Sequence, residues 1–339
     1  MPDSLPSATP GLVDTHGRRH TSMRLSVTDR CNIRCFYCMP DVAIQFQPRS
    51  ELLTFEEIHR LVRAVVPLGV HKFRLTGGEP LIRQDLDKLV AMLVQTPGVR
   101  EVAMTTNGIL LKQHAAALRA AGLTRLNISL DTLDPKRFEE IARRPGLEQV
   151  LEGIAAAQAA GFPRTRINAI AVKGMSDEEI VQLVRFAQAQ QLHLRFIEFM
   201  PLDAEQQWNN QRVLMGADLR AIITRHFGTL TPLPRDDQAQ PAVDYVLDGP
   251  APVKLGFISS VSAPFCGSCD RLRLTADGQL RNCLFSTTEW DARALLRKGA
   301  SPSELQALVA ACVKAKKHGH GIDDPDFLRP QRAMYQIGG

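Results

Sequence analysis

Short apolar runs and amphipathic stretches alternate regularly from residue 23 to residue 200. "MRLSVT" (23–28), "HKFRLT" (71–76), "REVAMTT" (100–106), "TRLNISL" (124–130), "TRINAIAV" (165–172) and "HLRFIEFM" (193–200) concentrate aliphatic and β-branched residues, which predicts six strands. Between them apolar positions recur at helical spacing, predicting helices from Thr54 and over about 85–95, 109–121, 148–160 and 177–190. Thr54 with Glu57 and Ser176 with Glu179 have the spacing of capping boxes. Six strand–helix units in series imply a parallel sheet, and six of them can curl into part of a barrel. The fold class expected is α/β, an incomplete (β/α)6 TIM-like barrel with a C-terminal extension. "TGGEP" follows the second strand, "TNG" the third and "SLD" the fourth. That places polar and glycine-rich residues at the strands' carboxyl ends, where parallel α/β folds bind ligands.

The pattern changes near residue 201. Pro-rich turns and acidic patches occupy 201–252, around one helix over about 217–227. The expected division is a flexible leader (1–20), a partial barrel (21–200) and a C-terminal region (201–339). In the last of these, "RLRLTADGQLRNC" reads as a hairpin turning at Ala276, Asp277 and Gly278. The leader is rich in Pro, Ser and Thr and lacks the apolar core of a signal peptide. No run approaches the roughly 18 apolar residues of a membrane span. A cytoplasmic protein is expected, with no membrane partner. The net charge is +5, with Lys and Arg scattered and only 6% aromatic residues, which favours a small anionic ligand over nucleic acid.

Seven cysteines in a reducing compartment point to metal ligation or catalysis. Cys31, Cys35 and Cys38 form C-x3-C-x2-C, and Cys266, Cys269 and Cys283 form C-x2-C-x13-C. Cys312 stands alone on a helical pattern and reads as core. Structural zinc takes four ligands, so the first trio would need one of His16, His20 or His59, and the second His318 or His320. Three thiolates on a four-iron cluster instead leave one iron open to another ligand.

The first trio, with Tyr37 directly before its third cysteine, resembles the signature of the radical S-adenosylmethionine (SAM) superfamily. Further stretches narrow the resemblance to the GTP 3′,8-cyclase family, whose members take the first step of molybdenum cofactor biosynthesis. They are "MRLSVTDRCNIRCFYCMP", with Met23 its one departure, "RLTGGEPLIR", "LNISLDTL", "RFIEFMPL", "CGSCDRLRLTADGQLRNCLF" and the terminal "MYQIGG". The resemblance runs from about residue 20 to the end. It implies conversion of GTP to (8S)-3′,8-cyclo-7,8-dihydroguanosine 5′-triphosphate, with SAM cleaved to methionine and 5′-deoxyadenosine. It implies two [4Fe-4S] clusters, on Cys31, Cys35 and Cys38 and on Cys266, Cys269 and Cys283, with the guanine base of GTP on the open iron of the second. Tyr37, Gly78, Ser129 and Met200 would contact SAM, with Glu79 a carboxylate at the strand end.

Arg24, Arg74, Thr105, Arg166, Arg271 and Arg273 would contact GTP, although the family usually has lysine where Arg166 stands. Guanidinium groups suit this task because they grip phosphate oxygens in pairs. Arg271 and Arg273, two residues apart on a strand, share a face. Gly338 and Gly339 would be catalytic, as a thin, flexible backbone entering a confined site. The implied partners are a one-electron reductant of flavodoxin or ferredoxin type and the next pathway enzyme, cyclic pyranopterin monophosphate synthase; a homodimer is compatible with the pattern. Two other readings stand beside this one. A peptide-modifying radical enzyme, or one acting on another nucleotide, would share the first trio, and a zinc-binding regulator would use the cysteines without catalysis.

Overall fold

Six parallel strands, paired in chain order, form the middle of one sheet in a computed structural model, which describes residues 11–162, 165–249 and 251–338. They are β1 (Ser22–Ser26), β2 (Lys72–Thr76), β3 (Glu101–Thr106), β4 (Arg125–Ser129), β5 (Arg166–Ala171) and β6 (His193–Glu198). Each pairs with the next in parallel. The helices between them are α1 (Phe55–Val65), α2 (Leu86–Val94), α3 (Leu111–Ala120), α4 (Pro135–Ala142), α5 (Leu147–Ala159) and α6 (Asp177–Ala189). Both expected capping boxes form: the Glu57 amide donates to Thr54 Oγ1 at 3.1 Å while Glu57 Oε2 accepts from the Thr54 amide at 2.8 Å, and Ser176 with Glu179 repeats the arrangement. Helix α4 is absent from the sequence expectation. It spans only eight residues, too few for a clear apolar period, yet Asp134 accepts from the Arg137 amide at 2.7 Å and Pro135 occupies the first turn.

Beyond residue 200 lie α7 (Gly216–Phe227) and a meander of β7 (Leu230–Pro232), β8 (Val243–Leu247) and β9 (Val253–Ile258). Strand β9 runs parallel beside β6. At the opposite edge β10 (Arg271–Leu274) runs parallel beside β1, then turns back through β11 (Gln279–Arg281) to β12 (Trp290–Asp291). The change of composition at residue 201 therefore marks no break in the sheet. The C-terminal region supplies both flanks of the six central strands, pairing backbone groups on β1 and β6 that would otherwise form open edges. Helices α8 (Ala292–Arg297) and α9 (Pro302–Lys314) pack near α1, and α10 (Met334–Ile337) is a single turn close to the end of the chain.

Side chains from β1, β3, β4, β5, β6, β9 and β10 line one cavity, so the sheet curls around it as a partial barrel. Its outer layer is apolar, with Met23, Leu25, Phe73, Leu75 and Phe196 inaccessible or nearly so. Cys312 on α9 is in this core as expected, and burial pushes its thiol up to about 12.

The expected flexible leader does not hold for residues 11–20. The Leu12 amide donates to the Leu68 carbonyl at 2.9 Å, Val13 bridges Arg19, and Asp14, Arg18 and His20 are buried. Arg18 Nε donates to Asp14 Oδ2 at 2.6 Å, and its two other nitrogens reach carbonyls of the C-terminal region. Polar composition suggested exposure, but Arg18 pairs with Asp14 and with distant backbone, and His20 Nε2 meets Asp14 Oδ2 at 3.0 Å. Residues 1–10 lie outside the described residues.

Candidate functional site

Both cysteine trios face the same cavity. The first lies in the loop after β1, where the amides of Cys38 and Met39 both donate to the Cys35 carbonyl, at 2.9 and 3.0 Å. The Arg34 amide donates to the Ala142 carbonyl at 2.8 Å and the Phe36 amide to Ile141 at 3.1 Å, so α4 braces this loop. The second trio combines a tight turn at Cys266–Ser268 with Cys283, just past β11. Among the described residues no three Cys, His, Asp or Glu side chains come close enough to hold a single metal ion. A four-iron cluster asks for something else: thiolates each reaching a different iron, beside open space for the fourth. Three thiols on a cavity wall fit that demand at each trio. His320 is occupied elsewhere, its Nε2 3.0 Å from the Ser260 carbonyl oxygen. His318 packs edge-on against His16.

Cys269 sits in a different field from the cysteines of the first trio. Burial raises the Cys31 thiol to about 11, with the Glu79 carboxylate adding to the effect. Burial and Asp131 raise Cys35 as well. At Cys269 burial also raises, but the cations of Arg271 and Lys316 prevail and bring the thiol down to about 6. Arg271 Nη2 lies 3.6 Å and Lys316 Nζ 3.4 Å from Cys269 Sγ.

Tyr37, Gly78, Ser129 and Met200 all line the cavity. The Tyr37 hydroxyl donates to Asp131 Oδ2 at 2.6 Å, and the other Asp131 oxygen accepts from the Ile170 amide at 2.8 Å. The Gly78 amide donates to the Thr28 carbonyl at 2.8 Å, and a Cβ on Gly78 would collide with the Arg30 carbonyl. Glu79 is a carboxylate just past the end of β2, as expected. It is wholly buried, accepting from Thr106 Oγ1 and the Asn107 amide at 2.7 Å each and from the Leu81 amide at 3.0 Å. Its carboxylate staples the loops after β2 and β3 together, and burial lifts it to about 7.

The arginines form a row. Arg273, Arg24 and Arg74 are register partners on the adjacent strands β10, β1 and β2. Arg24, Arg271, Arg273 and Thr105 line the cavity; Arg74 is the register partner of Arg24, and Arg166 that of Asn127, which also lines it. Burial lowers Arg24 to about 10 and Arg166 to about 9, and draws Arg74 and Arg273 well below the usual guanidinium range, with neighbouring arginines adding to each effect. Arg74 Nη1 is buried without a hydrogen-bond partner. Buried cations crowded this way are costly unless an anion joins them.

The chain's end reaches the same place. Ile337 is inaccessible, and Gly338 follows with φ 84°, its carbonyl accepting from Arg273 Nη1. A Cβ on Gly338 would lie 2.9 Å from both Ser26 Cβ and Thr76 Cγ2, at the ends of β1 and β2. The tail is held rather than flexible. The Met334 amide donates to the Leu202 carbonyl at 3.1 Å, and the Arg332 guanidinium grips both Asp277 oxygens at 3.0 and 2.8 Å. Gly339 lies outside the described residues.

Two family models divide the chain: the radical SAM superfamily matches residues 25–187, and "Molybdenum Cofactor Synthesis C" matches residues 192–322. A curated GTP 3′,8-cyclase of Rhodopirellula baltica is 51% identical over 331 residues, 97% of this chain and 92% of the relative. One from Mycobacterium ulcerans is 47% identical over 333 residues, with the same shares covered. The chain belongs to the GTP 3′,8-cyclase family. Membership of the radical SAM superfamily carries with it an iron–sulfur cluster and SAM. Among solved structures, Streptococcus suis SuiB bound to S-adenosylmethionine matches at a TM-score of 0.58 and 17% identity, over 86% of this chain and 68% of that one. At that identity the likeness speaks to the fold alone.

Three further residues of this cyclase-family cavity and its surroundings escaped the sequence reading. Asp131 orients Tyr37, and Asn107 Nδ2 lies 3.8 Å from Cys31 Sγ while donating to Asn32 Oδ1 at 2.7 Å. Both stand in "SLD" and "TNG", whose positions at strand ends were legible although the roles were not. Lys316 carried no local signal at all.

Proposed function

We infer that the chain converts GTP to (8S)-3′,8-cyclo-7,8-dihydroguanosine 5′-triphosphate, cleaving SAM to methionine and 5′-deoxyadenosine, in the first step of molybdenum cofactor biosynthesis. The observation that carries this reading is one cavity in which two cysteine trios and buried, crowded arginines meet. When bound, an iron–sulfur cluster and SAM supply the 5′-deoxyadenosyl radical that starts the chemistry. Cys31, Cys35 and Cys38 would hold that cluster, with Tyr37, Gly78, Ser129 and Met200 forming the wall around SAM. Cys266, Cys269 and Cys283 would hold a second cluster, which would keep one iron free of protein ligands for the substrate. Arg24, Arg271 and Arg273 would grip the triphosphate alongside Thr105. Arg74 and Arg166, in register with cavity-lining Arg24 and Asn127, would join them at the triphosphate. The curled sheet would hold both ligands in one frame. Gly338 would act from the strand ends through its hold on Arg273.

A one-electron reductant of flavodoxin or ferredoxin type and cyclic pyranopterin monophosphate synthase are the partners this reading requires. Seven free cysteines suit a cytoplasmic setting, and among the described residues no helix is long and apolar enough to cross a membrane. The direct test is anaerobic: reconstituted protein, GTP, SAM and dithionite should give the cyclised nucleotide with 5′-deoxyadenosine. Formation of 5′-deoxyadenosine without a GTP-derived product would reject GTP as substrate.

Phosphate recognition has its own test. Arg273→Ala should weaken GTP binding by about 10- to 100-fold, corresponding to a charge-assisted contact worth roughly 1.5–3 kcal/mol. Guanosine, lacking phosphates, should bind the variant and the parent alike. Equal losses for both ligands would place Arg273 away from the triphosphate.

A further inference from the structure

Lys316 is only 4% exposed, a depth lysine rarely occupies without a partner. Among the described residues its ammonium has two acceptors and neither is a carboxylate: the Arg271 carbonyl at 2.9 Å and Cys269 Sγ at 3.4 Å. We propose that Lys316 sets the reduction potential of the C-terminal cluster by holding a fixed positive charge against its Cys269 ligand. The proposal rests on the two-cluster reading of the cysteine trios.

The lysine cannot easily swing away. It follows α9, with its amide donating to the Val313 carbonyl at 3.0 Å. The next two carbonyls, of Lys317 and His318, accept from Arg18 at 2.8 and 2.9 Å, and the same guanidinium donates to the Cys266 carbonyl at 2.7 Å. Arg18 thus ties the lysine's segment to the turn that carries Cys266 and Cys269. Asp14, 2.6 Å from Arg18 Nε, balances the charge of that clamp, so it adds little field of its own. The buried N-terminal segment thereby acquires a purpose: it fixes a cation beside a cluster ligand.

Reduction adds one electron to a [4Fe-4S] cluster and breaks no bond. A nearby cation favours the more negative state, and cluster potentials respond to charge and to hydrogen bonds at the sulfurs. Arg271 also approaches Cys269, at 3.6 Å, but the cavity it lines is the substrate's, whereas the contacts of Lys316 are with the Cys269 sulfur and the Arg271 backbone.

The measurement is a dithionite titration of the full-length, cluster-loaded protein, followed by electron paramagnetic resonance without substrate. Lys316→Met should disfavour reduction of the C-terminal cluster about tenfold, which for one electron is a midpoint lowered by about 59 mV. The N-terminal cluster should keep its midpoint, and Lys316→Arg should restore most of the shift. Lys316→Gln retains a donor for the Arg271 carbonyl but carries no charge, so it should behave like Lys316→Met and serves if that variant folds poorly. A C-terminal midpoint unchanged in the neutral variants, each still holding about eight irons per chain, would overturn the role of Lys316. Parent protein with only about four irons would instead overturn the two-cluster reading, and the proposal with it.

Discussion

Cys38→Ala should abolish production of 5′-deoxyadenosine. The Cys38 thiol lines the cavity, while its backbone is independently fixed through the Cys35 carbonyl at 2.9 Å and the loop's two hydrogen bonds to the end of α4. Removing the sulfur therefore takes away a cluster ligand without dismantling the loop that presents it. The fold should survive, because the side chain is half-buried on a cavity wall and packs only against the small cluster of Met39, Ala333 and Tyr335, and global stability should fall by no more than about 1–2 kcal/mol. Iron content should drop by about four atoms per chain as the N-terminal cluster is lost. The decisive readings are 5′-deoxyadenosine by chromatography and iron by colorimetry, with thermal unfolding as the control. Undiminished SAM cleavage by a well-folded variant would remove this trio from the chemistry.

The central barrel was legible because each buried parallel strand leaves an apolar run bounded by turn residues. The run "HKFRLT" became Lys72–Thr76, and "HLRFIEFM" became His193–Glu198. What the sequence could not display was pairing across long separations. The hairpin at 271–281 was visible locally, but that its first strand would lie beside β1, with Arg273 opposite Arg24, depends on partners nearly 250 residues apart. The leader failed for a similar reason. Polar residues 14, 18 and 20 suggest solvent until the carbonyls of Cys266, Lys317 and His318 are known to lie within reach of Arg18. Cysteine trios survive translation into sequence because their chemistry demands one residue type at fixed spacing. Arginines do not: nothing local showed that Arg273 and Arg74 would stand in one row, two strands apart with Arg24 between them.

Deleting Gly338 and Gly339 should leave SAM cleavage measurable while the cyclised nucleotide disappears. The glycine requirement at 338 has two parts. Its φ of 84° disfavours any side chain, and a Cβ would lie 2.9 Å from Ser26 and Thr76, both on strands that cannot retreat without moving the sheet. The Gly338 carbonyl also accepts a hydrogen bond from Arg273, which lines the cavity shared by both cysteine trios. Loss of the tail would free that guanidinium to turn from its set position without touching any cysteine or any residue assigned to SAM. The defect should therefore appear in the steps after radical formation, with iron content and 5′-deoxyadenosine production retained. Gly338→Val gives the sharper test, because the Arg332 clamp and the buried Ile337 stay in place while only the last contact is blocked. If the valine variant makes cyclised product at the parent rate, the tight fit against Ser26 and Thr76 serves packing alone. If it cleaves SAM and releases no cyclised product, the tail belongs to the step that steers the substrate radical, and Arg273 is the residue through which it acts.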